Sequence, residues 1–210
     1  MLATGPPLGD LHFSFELTPA LTYFAKMRAA KKFNQYALLF AAAILLGFAI
    51  ARADDDVRSA VSAGQKAPAF QARTLDGKTV SFPADYQGKV VLLDFWATWC
   101  GPCKREIPNV VATYQKYHAK GFEILSVSLD QQRQGPALLQ FVQDHKMTWP
   151  QIYDGGYWKA AVAVQYGVKG IPCPILVDGD TGVIIAQGDD VVGPKLSEQV
   201  KTSLAAKAKK

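Results

Sequence analysis

Apolar residues fall into two rhythms along this chain, continuous runs and three- or four-residue spacings, which alternate from about residue 66 onward. Val90-Val91-Leu92-Leu93-Asp94-Phe95-Trp96 is a β-rich run broken by one carboxylate, as expected for a strand covered on both faces. Over residues 104–120, Ile107, Val110, Val111, Tyr114 and His118 recur at helical spacing. Residues 122–129 read as a second buried strand. Pro136 opens a helix through Asp144, with Leu138, Leu139 and Val142 on one side. Residues 157–166 read as a short helix closed by Gly167. Residues 174–177 and 183–187 read as strands joined by a turn at Asp178-Gly179-Asp180-Thr181-Gly182, and Pro194 opens a last helix with Leu196, Val200 and Leu204 inward. Ahead of all these, residues 68–72 and 79–82 flank an Asp76-Gly77 turn, a hairpin pattern. Strands and helices in this order predict an α/β fold with a central mixed sheet flanked by helices.

The first fifty residues break that rhythm. Residues 36–51 are almost wholly apolar, follow Lys26, Arg28, Lys31 and Lys32, and end at Ala51-Arg52-Ala53. A basic flank, a short apolar stretch and a small-x-small site make a secretory signal. The stretch is shorter than the roughly 20 residues of a spanning helix. Arg52 is awkward beside a cleavage site, so an uncleaved signal anchor stays open. A start at Met27 would give a signal of ordinary length, and translation from Met27 is the expectation. The expected organisation is an extension with signal peptide or anchor over 1–53, a polar linker over 54–65, and one folded domain over 66–210. Membrane contact is expected only through the N-terminal segment.

Charge then changes little. The chain carries 23 Lys and Arg against 18 Asp and Glu, but residues 54–210 alone are close to +2. No basic patch with a nucleic-acid module is visible, and no nucleic-acid partner is expected.

Chemistry enters at Trp99-Cys100-Gly101-Pro102-Cys103, between the strand and helix around it. A cysteine opening a helix sits where the dipole and free amides favour a thiolate, and a second one separated from it by two residues can close a small disulfide with it. Zinc would need four ligands. Only Cys173 and the scattered His12, His118 and His145 remain, so no metal and no cofactor is expected. A structural disulfide this short would constrain little. Redox exchange is the reading left. Three cysteines in an exported domain leave one unpaired. An oxidising compartment would keep Cys100–Cys103 closed unless a donor reduces it.

The segment Leu93-Asp94-Phe95-Trp96-Ala97-Thr98-Trp99-Cys100-Gly101-Pro102-Cys103-Lys104 resembles the active-site segment of thioredoxins, and Gly167-Val168-Lys169-Gly170-Ile171-Pro172 resembles their cis-proline loop. Pro108 matches their helix-kinking proline. Gly64-Gln65-Lys66-Ala67-Pro68-Ala69-Phe70, with Glu106 and Pro108 after the cysteines, is similar to the TlpA/ResA-like branch of exported reductases. The resemblance covers about residues 64–204. It implies a thioredoxin fold with an N-terminal β-hairpin and a central insertion within 130–165. It also implies a protein-disulfide reductase in the periplasm, taking electrons from a membrane thiol donor and passing them to oxidised client cysteines, as relatives do in cytochrome c maturation.

Carried onto this chain, Cys100 is the nucleophile and the more exposed thiol, and Cys103 resolves the mixed disulfide. Trp99, Gly101 and Pro102 border the client, with simple core filling the plainer account of Trp99. Pro172 is expected cis, setting the Ile171 backbone against an extended client. Asp94, on an apolar strand, is expected buried with a raised pKa and able to take the Cys103 proton through water. Glu106 is expected to tune the thiols, or simply to favour the helix dipole. Cys173 stands where Thr is common in the family, as a small buried hydrophobe or a third thiol near Cys100. Three other functions compete: a peroxiredoxin-like antioxidant peroxidase, whose Pro-x-x-x-Thr-x-x-Cys setting residues 93–100 lack, a disulfide oxidase, and a copper-binding chaperone.

Overall fold

The computed structural model describes residues 58–209. The hairpin is strands β1 (Phe70–Arg73) and β2 (Thr79–Phe82), antiparallel and forming a sheet of their own. The main sheet has five strands: β3 (Val90–Trp96), β4 (Phe122–Ser128), β5 (Gln151–Ile152), β6 (Cys173–Asp178) and β7 (Ile184–Gln187), in the order β5-β4-β3-β6-β7. β3 runs parallel to β4 and antiparallel to β6, so the sheet is mixed. Four helices join them: α1 (Gly101–Tyr117), α2 (Gly135–Asp144), α3 (Ala161–Gln165) and α4 (Pro194–Lys207).

The apolar run of β3 is explained by cover on both faces. Leu92 and Trp96 turn to the face packed by α1 and α4, whereas Phe95 meets Tyr166 with ring centroids 5.5 Å apart. Beyond Tyr166 lie Phe70, at 6.0 Å, and Phe82, stacked on Phe70 at 5.3 Å. The hairpin therefore serves as a lid of aromatic rings over the second face. Asp94 shares the α1 face with Leu92 and Trp96, so the strand's period of two points its carboxyl toward the helix that follows the cysteines.

Several elements depart from the sequence expectations. The first helix starts at Gly101, three residues earlier than the periodicity suggests, because Cys100 caps it. Residues 157–166 do not form one helix: a 3-10 turn over Tyr157–Lys159 is followed by α3, with Ala160 extended between them. Gly167, at φ +61, ends that stretch as expected, and a Cβ there would lie 2.5 Å from Ala60 Cβ. Leu196 and Val200 are buried in α4, and Leu204 is only partly covered. Residues 130–165, where the resemblance puts an insertion, carry α2 and the edge strand β5. Two residues of β5 give no periodicity to detect. Phe82–Pro83 is a second cis bond beside Ile171–Pro172.

Residues 58–65, assigned to the linker, hydrogen-bond to the domain. The Ala60 N–H donates to the Tyr166 carbonyl at 3.0 Å and the Gly64 N–H to the Ile184 carbonyl at 2.8 Å. The apolar stretch over 36–51 and the proposed start at Met27 lie outside the described residues. Among the described residues no helix is long and apolar enough to cross a membrane.

Candidate active site

Because β3 and β4 are parallel with Trp96 opposite Ser128, the loops leaving both strands emerge at the same end of the sheet. Ligands gather at that end in parallel sheets. The loop after β3 carries the cysteines. Cys100 is the N-cap of α1 in an extended conformation, and the Cys103 N–H donates to its Sγ at 3.1 Å. Pro102, in the first turn, has no N–H to leave unsatisfied. Cys100 and Cys103 form a disulfide, S–S 2.00 Å, so the structure represents the oxidised state. No acidic residue occupies the first turn of α1. The Arg105 guanidinium lies over Gly101 instead, within 4 Å of where a Cβ would be. In this state Cys100 is not the clearly more exposed thiol that its place in the motif suggests: it is 4% accessible and Cys103 3%.

The Ile171–Pro172 peptide is cis, and the Ile171 carbonyl oxygen lies 3.7 Å from Cys100 Sγ. A disulfide sulfur has no proton to give, so this is a contact that leaves the carbonyl ready for another donor. Arg58 fixes the far side of the loop, where its Nη1 donates to the Pro172 carbonyl at 2.8 Å. Cys173 is a buried cysteine outside the disulfide, opposite Phe95 in the β3–β6 register and on the sheet face away from Asp94.

Beneath the disulfide lies a cavity of about 20 Å³, lined by Asp94, Cys103 and Glu106 together with Trp96, Trp149 and Pro172. That is room for about one water molecule. Burial away from solvent pushes the Asp94 carboxyl up to about 7, and the charge of Glu106 adds to the rise. Asp94 keeps a little accessible surface, where it borders this cavity. Glu106 faces the same space but is anchored elsewhere: its Oε2 accepts the Gly193 N–H at 2.9 Å, and Asn109 Nδ2 donates to the Gly193 carbonyl at 2.6 Å. The expected site residues thus come together around one sulfur pair, with Trp99 as the exception. It is 40% exposed and fills no core, and its Nε1 donates to the Leu129 carbonyl at 3.3 Å.

A third carboxylate went unmarked in the sequence. Asp130 is fully buried and accepts from the Thr98 N–H at 3.1 Å, from Thr98 Oγ1 at 2.6 Å and from Ser128 Oγ at 2.7 Å. The Leu129 N–H also donates to the Trp96 carbonyl at 2.8 Å, so the loop before Cys100 hangs from the end of β4. The parallel register was the available signal, since Thr98 and Asp130 each lie two residues beyond the paired Trp96 and Ser128. Truncation to alanine strands the Thr98 donors in a buried site. Asp130→Ala is therefore expected to lower unfolding free energy by about 3 kcal/mol in urea titration.

Comparison with known proteins agrees with this geometry. The family model described as "AhpC/TSA family" matches residues 63–186. The chain is 33% identical over 173 residues to "Thiol-disulfide oxidoreductase ResA" of Bacillus cereus (strain ATCC 10987 / NRS 248), covering 80% of this chain and 94% of that protein. It is 30% identical over 139 residues to the protein of the same name in Bacillus subtilis (strain 168), covering 66% and 74%. Among solved structures, the thioredoxin domain of a thiol-disulfide oxidoreductase from Bacteroides vulgatus matches with a TM-score of 0.61 and 32% identity, covering 69% of this chain and 99% of that one. The fold expected from sequence, a thioredoxin fold with a mixed sheet and a separate hairpin, is the fold observed.

Proposed function

The chain belongs to the AhpC/TSA family as a thiol–disulfide oxidoreductase of the ResA/TlpA-like type, and from that premise we propose that it reduces disulfides of client proteins in the periplasm. One observation carries the reading. The Cys100–Cys103 disulfide sits at a helix start, with a backbone N–H on Cys100 Sγ and a carboxyl of raised pKa lining the space beside Cys103.

In the reduced protein the Cys100 thiolate attacks one sulfur of a client disulfide. A Cys100–client bond forms, the client's own S–S bond breaks, and its second sulfur leaves as a thiolate that water protonates. Cys103 then gives its proton to the Asp94 carboxylate across the cavity and attacks Cys100 Sγ. This forms the Cys100–Cys103 disulfide and breaks the Cys100–client bond; the client sulfur leaves as a thiolate, takes a proton from Asp94 or water, and the client departs as a dithiol, two electrons richer. Resetting the pair takes two electrons from outside the chain, and a membrane thiol donor is the source we propose, since an oxidising compartment would keep the bond closed. Cytochrome c maturation, where the resembled branch works, is the proposed setting. The basic and apolar segment before residue 54 supports export, as a cleaved signal or an inner-membrane anchor.

Insulin reduction and the reduction potential test the direction of electron flow. The purified protein is expected to precipitate insulin with dithiothreitol as donor, at a potential nearer about −270 than −120 mV. A potential near the upper figure makes it an oxidase instead. Peroxide consumption without insulin reduction would favour the peroxidase.

A further inference from the structure

Beside the dithiol lies a cluster of rings that the exchange chemistry does not use. The ring of Trp99 is 5.4 Å from that of Tyr157 and 6.0 Å from that of Trp158, and Tyr157 and Trp158 are 5.9 Å apart, so the three touch one another. Trp99 is 40% exposed and Tyr157 37%. Contiguous ring surface left in water is costly, and such patches mark interaction sites.

The cluster is held firmly. Tyr157 adopts φ +58, a conformation a bulky side chain rarely takes and keeps only where its surroundings impose it. Asp154 imposes it from both sides, accepting the Gly156 N–H and the Ala161 N–H, each at 2.8 Å. Gly156 pairs with Gln131 across an isolated bridge, and Tyr153 donates its hydroxyl to the Gln131 carbonyl at 2.7 Å. A Cβ on Gly155 would lie 2.6 Å from Gln132 Cα. The segment bearing Tyr157 and Trp158 is therefore pinned to the loop after β4, whose Leu129 carbonyl also holds the Trp99 indole.

We propose that Trp99, Tyr157 and Trp158 form a shelf that seats an aromatic side chain near the reacting cysteine of an extended client segment, and so selects clients. This rests on the reductase reading. The shelf begins one residue from the reacting cysteine, since Trp99 and Cys100 are chain neighbours with Cα atoms about 3.8 Å apart. An extended client advances about 3.3 Å per residue. A ring two to four positions from the client's cysteine would then reach the shelf while its sulfur meets Cys100. Three preformed rings favour another ring, which they can meet edge-on or offset.

The test uses the purified full chain and two disulfide-bonded peptides, identical except for Trp or Ser three residues from the cysteine. The expected result is a kcat/KM five- to tenfold higher for the Trp peptide. In Tyr157→Asn/Trp158→Ala that ratio is expected to fall to about one, Asn being tolerant of positive φ. Equal rates for the two peptides with the unsubstituted protein overturn the proposal without reference to any variant. A preference that survives in the folded double variant also overturns it. So does a dimer in sedimentation that the same substitutions dissolve, because a second copy would then be the occupant. Failure of the reductase reading is distinguishable: the unsubstituted protein would reduce neither peptide, nor hydroxyethyl disulfide, which has no ring to seat.

Discussion

Replacing Cys100 with serine is expected to lower insulin reduction by at least about 10³-fold, whereas replacing Cys103 with alanine stops turnover and leaves the client attached. The two outcomes differ because the two sulfurs occupy different positions on one helix. Cys100 is outside the first turn, where the dipole and the Cys103 N–H at 3.1 Å both stabilise charge on sulfur. Serine keeps the geometry but is far less nucleophilic than a thiolate. Cys103 lies inside the first turn and is bonded to Cys100. Without it the mixed disulfide has no internal route to resolution. Non-reducing gels followed by mass spectrometry read both results: no covalent adduct for Cys100→Ser, and stoichiometric client adduct for Cys103→Ala. Adducts of equal abundance on the two variants would reverse the assignment of nucleophile and resolving thiol.

The second large effect is expected at Asp94. Its carboxyl releases a proton near pH 4 in the unfolded chain and at about 7 in the folded one, chiefly because it is buried and secondly because Glu106 is near. Between those values the unfolded state binds fewer protons than the folded state, so stability falls as pH rises from about 4 to 7 and stays low above that. The difference of about three pKa steps corresponds to a cost on the order of 4 kcal/mol at pH 8. Asp94→Asn removes the cost. The variant is expected to be more stable than the parent at pH 8, to equal it near pH 4, and to show a flat profile between. Activity is expected to move the other way, by about 10²-fold at pH 7, because an amide at that position cannot take the Cys103 proton and Glu106 is held by the Gly193 N–H. Urea titrations across pH 4–8 beside insulin assays check both. A variant with the parent's slope would remove Asp94 from the proton path.

Much of this site was legible because its chemistry is local. Cys100, Cys103 and Pro102 are within four residues, and a strand followed at once by a helix fixes how they face one another. Asp94 was readable for a different reason: a single carboxylate in an apolar strand has few places to go but a buried one. What stayed hidden depends on contacts between distant segments. Asp130 follows an ordinary strand and gains meaning only from the β3–β4 register. Tyr157 and Trp158 look like the start of an amphipathic helix, and with the clamp at Asp154 Tyr157 is instead exposed while Trp158 packs partly against the core. Arg58 lay in a stretch whose composition reads as linker, and its reach to the Pro172 carbonyl spans more than a hundred residues of sequence.

The suspension of the Cys100 loop from Asp130 has a consequence for the catalytic cycle. Opening and closing the S–S bond changes the covalent state of two atoms, and in the oxidised state the backbone carrying them is bonded to the buried end of the central sheet independently of that bond. A loop suspended in this way is expected to gain little chain entropy when the bond breaks and to lose little when it reforms. Electrons are thus expected to pass through this motif with little movement of the polypeptide around it, as a soldered contact carries current.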